Sequence, residues 1–177
     1  MTASCLAQRR ALALHLASRG FGYVILESPT ALVDWGVKST RTDKTEKTLA
    51  KVGQLIEHYS PEVVVIEDCD GETSRRCRRI EQLLTDIDRL ATDHKVRVCH
   101  VPMQQVRSIF PDARTRHQTA LIVAQQLPDL APHLPRHRKP WMCEDYRMAI
   151  FNAASLGLTY FYTRLARSRT KIGHPST

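Results

Sequence analysis

The sequence predicts an α/β fold: a mixed five-stranded sheet, three antiparallel strands then parallel strands, flanked by helices. Three observations carry this. The run Val63-Val64-Val65-Ile66 is continuous, apolar and β-branched, the pattern of a strand buried on both faces of a parallel sheet. The chain opens with three short apolar segments separated by turn residues. After the Val63 run, apolar residues recur at helical spacing in alternation with one more strand-like run.

Ala11 to Leu16 reads as the first strand, and Gly20 and Gly22 as a turn after it. Tyr23 to Leu26 is the second strand, Ser28-Pro29-Thr30 a tight turn, and Leu32 to Val37 the third, completing an antiparallel meander. Asp43 to Tyr59 reads as a helix through Leu49, Val52, Leu55 and Ile56, ended by Ser60-Pro61 because proline cannot continue it. Val63 to Ile66 is the fourth strand. Ser74 to Thr92 is a helix with Ile80, Leu83, Leu84, Ile87 and Leu90 on one face, and Val96 to Val101 is the fifth strand. Met103 to Phe110 and Thr115 to Gln126 are helical, Pro128, Pro132, Pro135 and Pro140 mark an irregular segment, and Glu144 to Leu165 is a long final helix. This order is the ribonuclease H-like layout, a likeness of fold that does not fix function.

The 177 residues suit one domain, and a hydrophobic content of 42% is ordinary for a globular protein. No apolar stretch is long enough to span a membrane. Met1 to Gln8 lacks the pattern of a secretory signal, so a cytoplasmic location is expected. The five cysteines (Cys5, Cys69, Cys77, Cys99, Cys143) form no CxxC pair, which argues against structural zinc. A net charge of +8 favours a polyanionic partner. The basic residues cluster: Arg75, Arg76, Arg78 and Arg79 around Cys77, then Arg136, His137, Arg138 and Lys139, then Arg164, Arg167, Arg169 and Lys171. Four arginines within five positions suit phosphate contact, although a solvated face has the same composition.

Glu67 ends the fourth strand and is followed by Asp68 and Asp70. Open α/β sheets place their chemistry at the carboxyl ends of strands. Placing a carboxylate there costs desolvation, which a cation, a metal or a ligand as partner offsets, and the plain alternative is a solvated acidic loop.

Several segments together resemble the RuvC-like Holliday-junction resolvases. Ala11 to Tyr23 is similar to that family's opening, a strand and turn leading into Gly-Tyr of the second strand. Val65-Ile66-Glu67 resembles its second acidic motif. Arg114 to Gln118 resembles its basic helix start, and Glu144 to Gly157 its C-terminal helix with the last acidic residues. The resemblance spans Ala11 to Tyr162. It implies a RuvC-like ribonuclease H-fold domain over residues 9–166, and composition reads 167–177 as a basic tail expected to be disordered. It implies branched DNA as partner, a homodimer matched to the two symmetric strands of a four-way junction, and magnesium-dependent strand cleavage by two metal ions about 3.5–4 Å apart.

Two positions depart from that pattern. His15 stands where the first aspartate belongs, followed by Leu16-Ala17 in place of Pro-Gly, and Asn152 stands where the last aspartate belongs. The resemblance therefore implies catalytic positions at Glu67, His15, Asp145 and Asn152, with Glu67, Glu144, Asp145 and His15 as candidate metal ligands. Nucleic-acid contacts are expected from Arg75, Arg76, Arg78, Arg79, Arg114, Arg116, Arg138 and Lys139. A neutral imidazole and an amide bring no charge to balance two divalent ions, so magnesium binding is expected to be weakened, and manganese tolerates imidazole better.

Each of these residues also has an ordinary reading. His15 suits a buried strand histidine on a backbone carbonyl, Asn152 a packing amide, and Glu144 and Asp145 acids in a first helical turn. Trp141 and Met142 suit a lid on the core, with contact to bases as the alternative. Two functions stay open: a metal-dependent endonuclease with an impaired site, and a non-catalytic, structure-selective DNA-binding pseudonuclease. An actin-like ATPase is disfavoured, because none of the seven glycines forms a phosphate loop.

Overall fold

Strand β1 (Ala11–Ala17) lies at the centre of a five-stranded sheet of order β3-β2-β1-β4-β5. It pairs antiparallel with β2 (Gly20–Ser28) and parallel with β4 (Val63–Asp68); β3 (Ala31–Ser39) and β5 (Arg97–Pro102) are the edges. The computed structural model describes residues 10–17, 20–40, 44–68, 75–139 and 141–172, with backbone alone at 44, 75–78 and 169–172.

Alternate strand residues feed two cores, as the pleat requires. Ala11 and Ala13 of β1 with Val63 and Val65 of β4 face one side; Leu12 and Leu14 with Val64 and Ile66 face the other. Helices α1 (Lys44–Tyr59) and α2 (Arg75–Asp93) cover the second side with Val52, Leu55, Ile56, Leu84 and Ile87. Helices α3 (Met103–Ile109), α4 (Arg116–Gln126) and α5 (Met148–Ile172) cover the first with Val106, Val123, Phe151 and Leu156. The apolar face from Ile80 to Leu90 is therefore core: Leu84 and Ile87 are buried, and Ile80, Leu83 and Leu90 pack beside them.

Helix α5 lies close on β1 and β2 because small residues meet there. A Cβ at Gly22 would sit 2.3 Å from the carbonyl of Ala149, and one at Gly157 only 2.7 Å from Leu26 Cδ1. Gly22 is thus a contact residue inside β2, not the turn the sequence suggested.

The other large departure is the start of the last helix. It begins at Met148, four residues after Glu144, because Asp145 and Arg147 close a turn of their own: the Arg147 backbone N–H donates to Asp145 Oδ1 at 2.9 Å. Helix α5 continues to Ile172, past the boundary at 167 drawn from composition.

Candidate functional site

The strand register places the site. Ala13 of β1 is level with Val65 of β4. Two residues further along each strand, on the same face, come His15 and Glu67. Helix α5, held down over Gly22, brings Asn152 above them.

The three side chains form one hydrogen-bonded trio. His15 Nδ1 lies 3.2 Å from Glu67 Oε2, and Asn152 Nδ2 lies 3.2 Å from His15 Nε2. Both ring nitrogens of His15 are therefore engaged, Nδ1 with the Glu67 carboxylate and Nε2 with the Asn152 side-chain amide. The hydrogen bond from His15 holds the Glu67 carboxyl below the usual carboxylate range, burial opposes it, and the charges of His15 and then Arg116 add smaller pushes downward. His15 is bonded to side chains, so the backbone-carbonyl reading does not describe it.

Glu144 and Asp145 do not join the trio. Glu144 pairs with Arg116 of α4 at 3.4 Å. Asp145 is gripped by Arg147, whose Nη2 lies 2.7 Å from Oδ2, and this hydrogen bond holds its carboxyl below the ordinary value. Among the described residues no group of three or more His, Cys, Asp or Glu is placed to hold a metal ion. Asp68 is the exposed end of β4, and Asp70 lies outside the described residues. The donor set at the trio is one carboxylate, one imidazole with both nitrogens engaged, and one amide. Two hard divalent ions do not fit it, because a single negative charge opposes four positive ones.

Beside the trio opens a cleft of about 790 Å³. Its walls carry Arg116 and His117 from the start of α4, Arg136, His137 and Arg138 from the proline-rich segment, and Arg147 with Glu144 and Asp145 from the turn before α5. Thr115 caps α4 in a reciprocal box with Gln118, which fixes where Arg116 and His117 project. The His117 and His137 rings meet edge to face at 5.2 Å.

Of the expected nucleic-acid contacts, Arg116 and Arg138 line this cleft, and Lys139 follows Arg138, exposed, with its Nζ 5.4 Å from the Trp141 ring centroid. Arg114 is exposed just ahead of α4, and Arg79 is exposed on α2, on the other side of the sheet. The side chains of Arg75, Arg76 and Arg78 lie outside the described residues. Sequence reasoning noted Arg136 and His137 without assigning them and missed His117 and Arg147, whose place in the cleft depends on the tertiary fold. Trp141 and Met142 are no lid: they are 77% and 51% exposed.

No family model matches the sequence, and no curated protein matches it. Solved structures do. The RuvC of T. thermophilus in complex with Holliday junction substrate aligns with a TM-score of 0.66 at 17% identity, covering 88% of this chain and 96% of that one. A second structure of Thermus thermophilus RuvC gives 0.62 at 17%, covering 89% and 96%. The Fowlpox virus resolvase with substrate Holliday junction DNA gives 0.52 at 15%, covering 88% and 99%.

The fold is RuvC-like and ribonuclease H-like.

Within that RuvC-like fold the resemblance read from the sequence acquires a geometry. Three of the positions it singled out, His15, Glu67 and Asn152, are in contact although they are far apart in sequence. The last two acids, Glu144 and Asp145, are held by arginines of the cleft wall instead.

Proposed function

We propose that this protein binds branched DNA in the cationic cleft and holds it without efficient strand cleavage. The observation that carries this reading is Arg116. It lines the cleft, and its charge also reaches Glu67, which links the cleft to the trio electrostatically. Arg116 and Arg147 are paired with Glu144 and Asp145, so Arg136 and Arg138 leave the cleft net positive for a phosphate backbone, and the likeness to structures of resolvases with Holliday junction DNA supports a junction as the ligand. A homodimer would offer two such clefts to the two symmetric strands of a four-way junction. The trio supplies one carboxylate and both imidazole nitrogens are engaged, which favours holding DNA over cutting it.

The test is an anisotropy titration with a labelled four-way junction and a linear duplex of equal length. Tighter, salt-sensitive binding of the junction is expected. The R116A/R138A variant should lose about tenfold or more in affinity for both ligands and flatten the salt dependence by about one unit of slope for each arginine. Equal affinity for junction and duplex would remove the branched-DNA reading. The second reading, a slow manganese-dependent nuclease, is favoured by the imidazole beside Glu67. It predicts nicking in manganese that E67Q abolishes, and absence of such nicking leaves the binding protein.

A further inference from the structure

Trp35 is tucked against His133, whereas Trp141 stands in solvent. Six large hydrophobic side chains are exposed among the described residues, and three of them fall within six positions of one loop: Trp141 at 77%, Met142 at 51% and Tyr146 at 71%. The same loop supplies Met142, Glu144, Asp145 and Arg147 to the cleft wall. Lys139 lies over the Trp141 ring, 5.4 Å from its centroid, so a cation already marks the accessible π face. Leaving three large apolar side chains in water beside an arginine-lined cleft is unfavourable for an isolated monomer, and such patches mark contact surfaces.

We propose that Trp141, assisted by Tyr146, is a stacking platform for unpaired nucleobases at the branch point or at single-stranded flaps. This rests on the DNA-binding reading above and names which feature of the DNA is selected. The charge around the platform selects the class of ligand. Arg136, Arg138 and Arg147 favour a polyanion, and a polyanion that also carries flat apolar faces is a nucleic acid with open bases. Stacking tolerates any base, so the platform confers a preference for openness rather than sequence. In a perfect duplex the bases are stacked on one another, and the ring has only backbone to meet.

The experiment compares the full-length protein with W141A, W141F and R138A on three labelled ligands: a linear duplex, the same duplex with a central unpaired stretch, and a four-way junction. For the unmodified protein, the unpaired stretch should tighten binding about tenfold over the plain duplex. W141A should lose most of that preference while keeping its duplex affinity and its salt slope, and W141F should retain it. R138A should weaken all three ligands and reduce the slope by about one unit. In a Trp35→Phe background the emission of Trp141 should be quenched by the ligand with open bases and not by the duplex. Trp141 is mostly solvent, so its truncation is not expected to unfold the chain. If W141A keeps the full preference for open bases, the stacking platform is wrong and the cleft reading stands. If the unmodified protein binds none of the three ligands, both fall. If W141A binds DNA unchanged but loses a self-association seen in the unmodified protein, the patch is a contact with a second copy and the stacking reading is overturned.

Discussion

Two three-residue polar networks cross the sheet, and they differ in what surrounds them. In one, Asp34 of β3 accepts from the Tyr23 hydroxyl at 2.9 Å and from the Tyr59 hydroxyl at 2.5 Å, tying the last turn of α1 to the edge of the sheet. In the other, His15 bridges Glu67 and Asn152. Both join one carboxylate to groups from different elements. Beside the Asp34 network Arg10 donates to the Tyr59 carbonyl at 3.3 Å, and none of its three residues lines the arginine-bearing cleft. The His15 network sits at the carboxyl end of β4, within reach of Arg116 and beside such a cleft. The difference teaches that a satisfied polar network is not itself a site. Position in the sheet and the neighbouring open surface make it one.

The sharpest way to break the comparison is to restore charge to one network. In the variant H15D/N152D, three carboxylates converge where one stands now. They repel one another, so the variant should be less stable than the natural chain without metal. Magnesium or manganese should then raise its melting temperature, by an amount equivalent to about 2.7 kcal/mol at a hundredfold excess over Kd. The unmodified chain should show no comparable shift. The same variant should nick a four-way junction in the presence of metal, and failure of both readouts would mean that the trio does not occupy a latent metal site.

Next in size is Asp34→Ala. It removes the acceptor of the buried Tyr23 hydroxyl and of Tyr59 together, at a cost of about 1–3 kcal/mol. Urea unfolding should register this loss, while junction affinity measured below the melting range should not change. A large fall in affinity would mean that the second network is coupled to the DNA surface.

How much of this was legible in the sequence follows from the kind of information each part needs. The β-branched run at Val63 to Ile66 and the helical periods fixed the elements and the sheet, because both signals are local. His15, Glu67 and Asn152 were legible as one group only through the resemblance, since their contact depends on strand register and on the closeness of α5 over Gly22. The placing of Glu144 and Asp145 failed for a local reason. An acid two residues before an arginine can cap a turn as readily as begin a helix, and here the Asp145–Arg147 bonds hold that turn and delay the helix to Met148. Arg147 carried no signal of its own, because its place in the cleft depends on that turn.

The smallest effect separates the two networks by pH, and the signs are opposite. The Tyr59 hydroxyl is pushed from 10.0 up to about 12, chiefly by its hydrogen bond to Asp34 with burial second. A group whose folded pKa is raised contributes stability that is complete below its unfolded value, so this contribution is present below pH 10.0 and is lost as pH rises towards about 12. Glu67 is shifted the other way, downward, by its hydrogen bond from His15. Its contribution is complete above the ordinary carboxylate value of 4.5 and is lost as pH falls through its lower folded value. Denaturant midpoints taken across pH should therefore show an acid-side loss that E67Q removes and an alkaline-side loss that Y59F removes. Because the Arg116 charge adds to the downward shift of Glu67 while the Arg10 charge opposes the upward shift of Tyr59, added salt should shrink the acid-side difference more than the alkaline one. Equal salt sensitivity on both sides would mean that the charge of the cleft does not reach the trio in solution, and that the two networks are ordinary structural ties of the same kind.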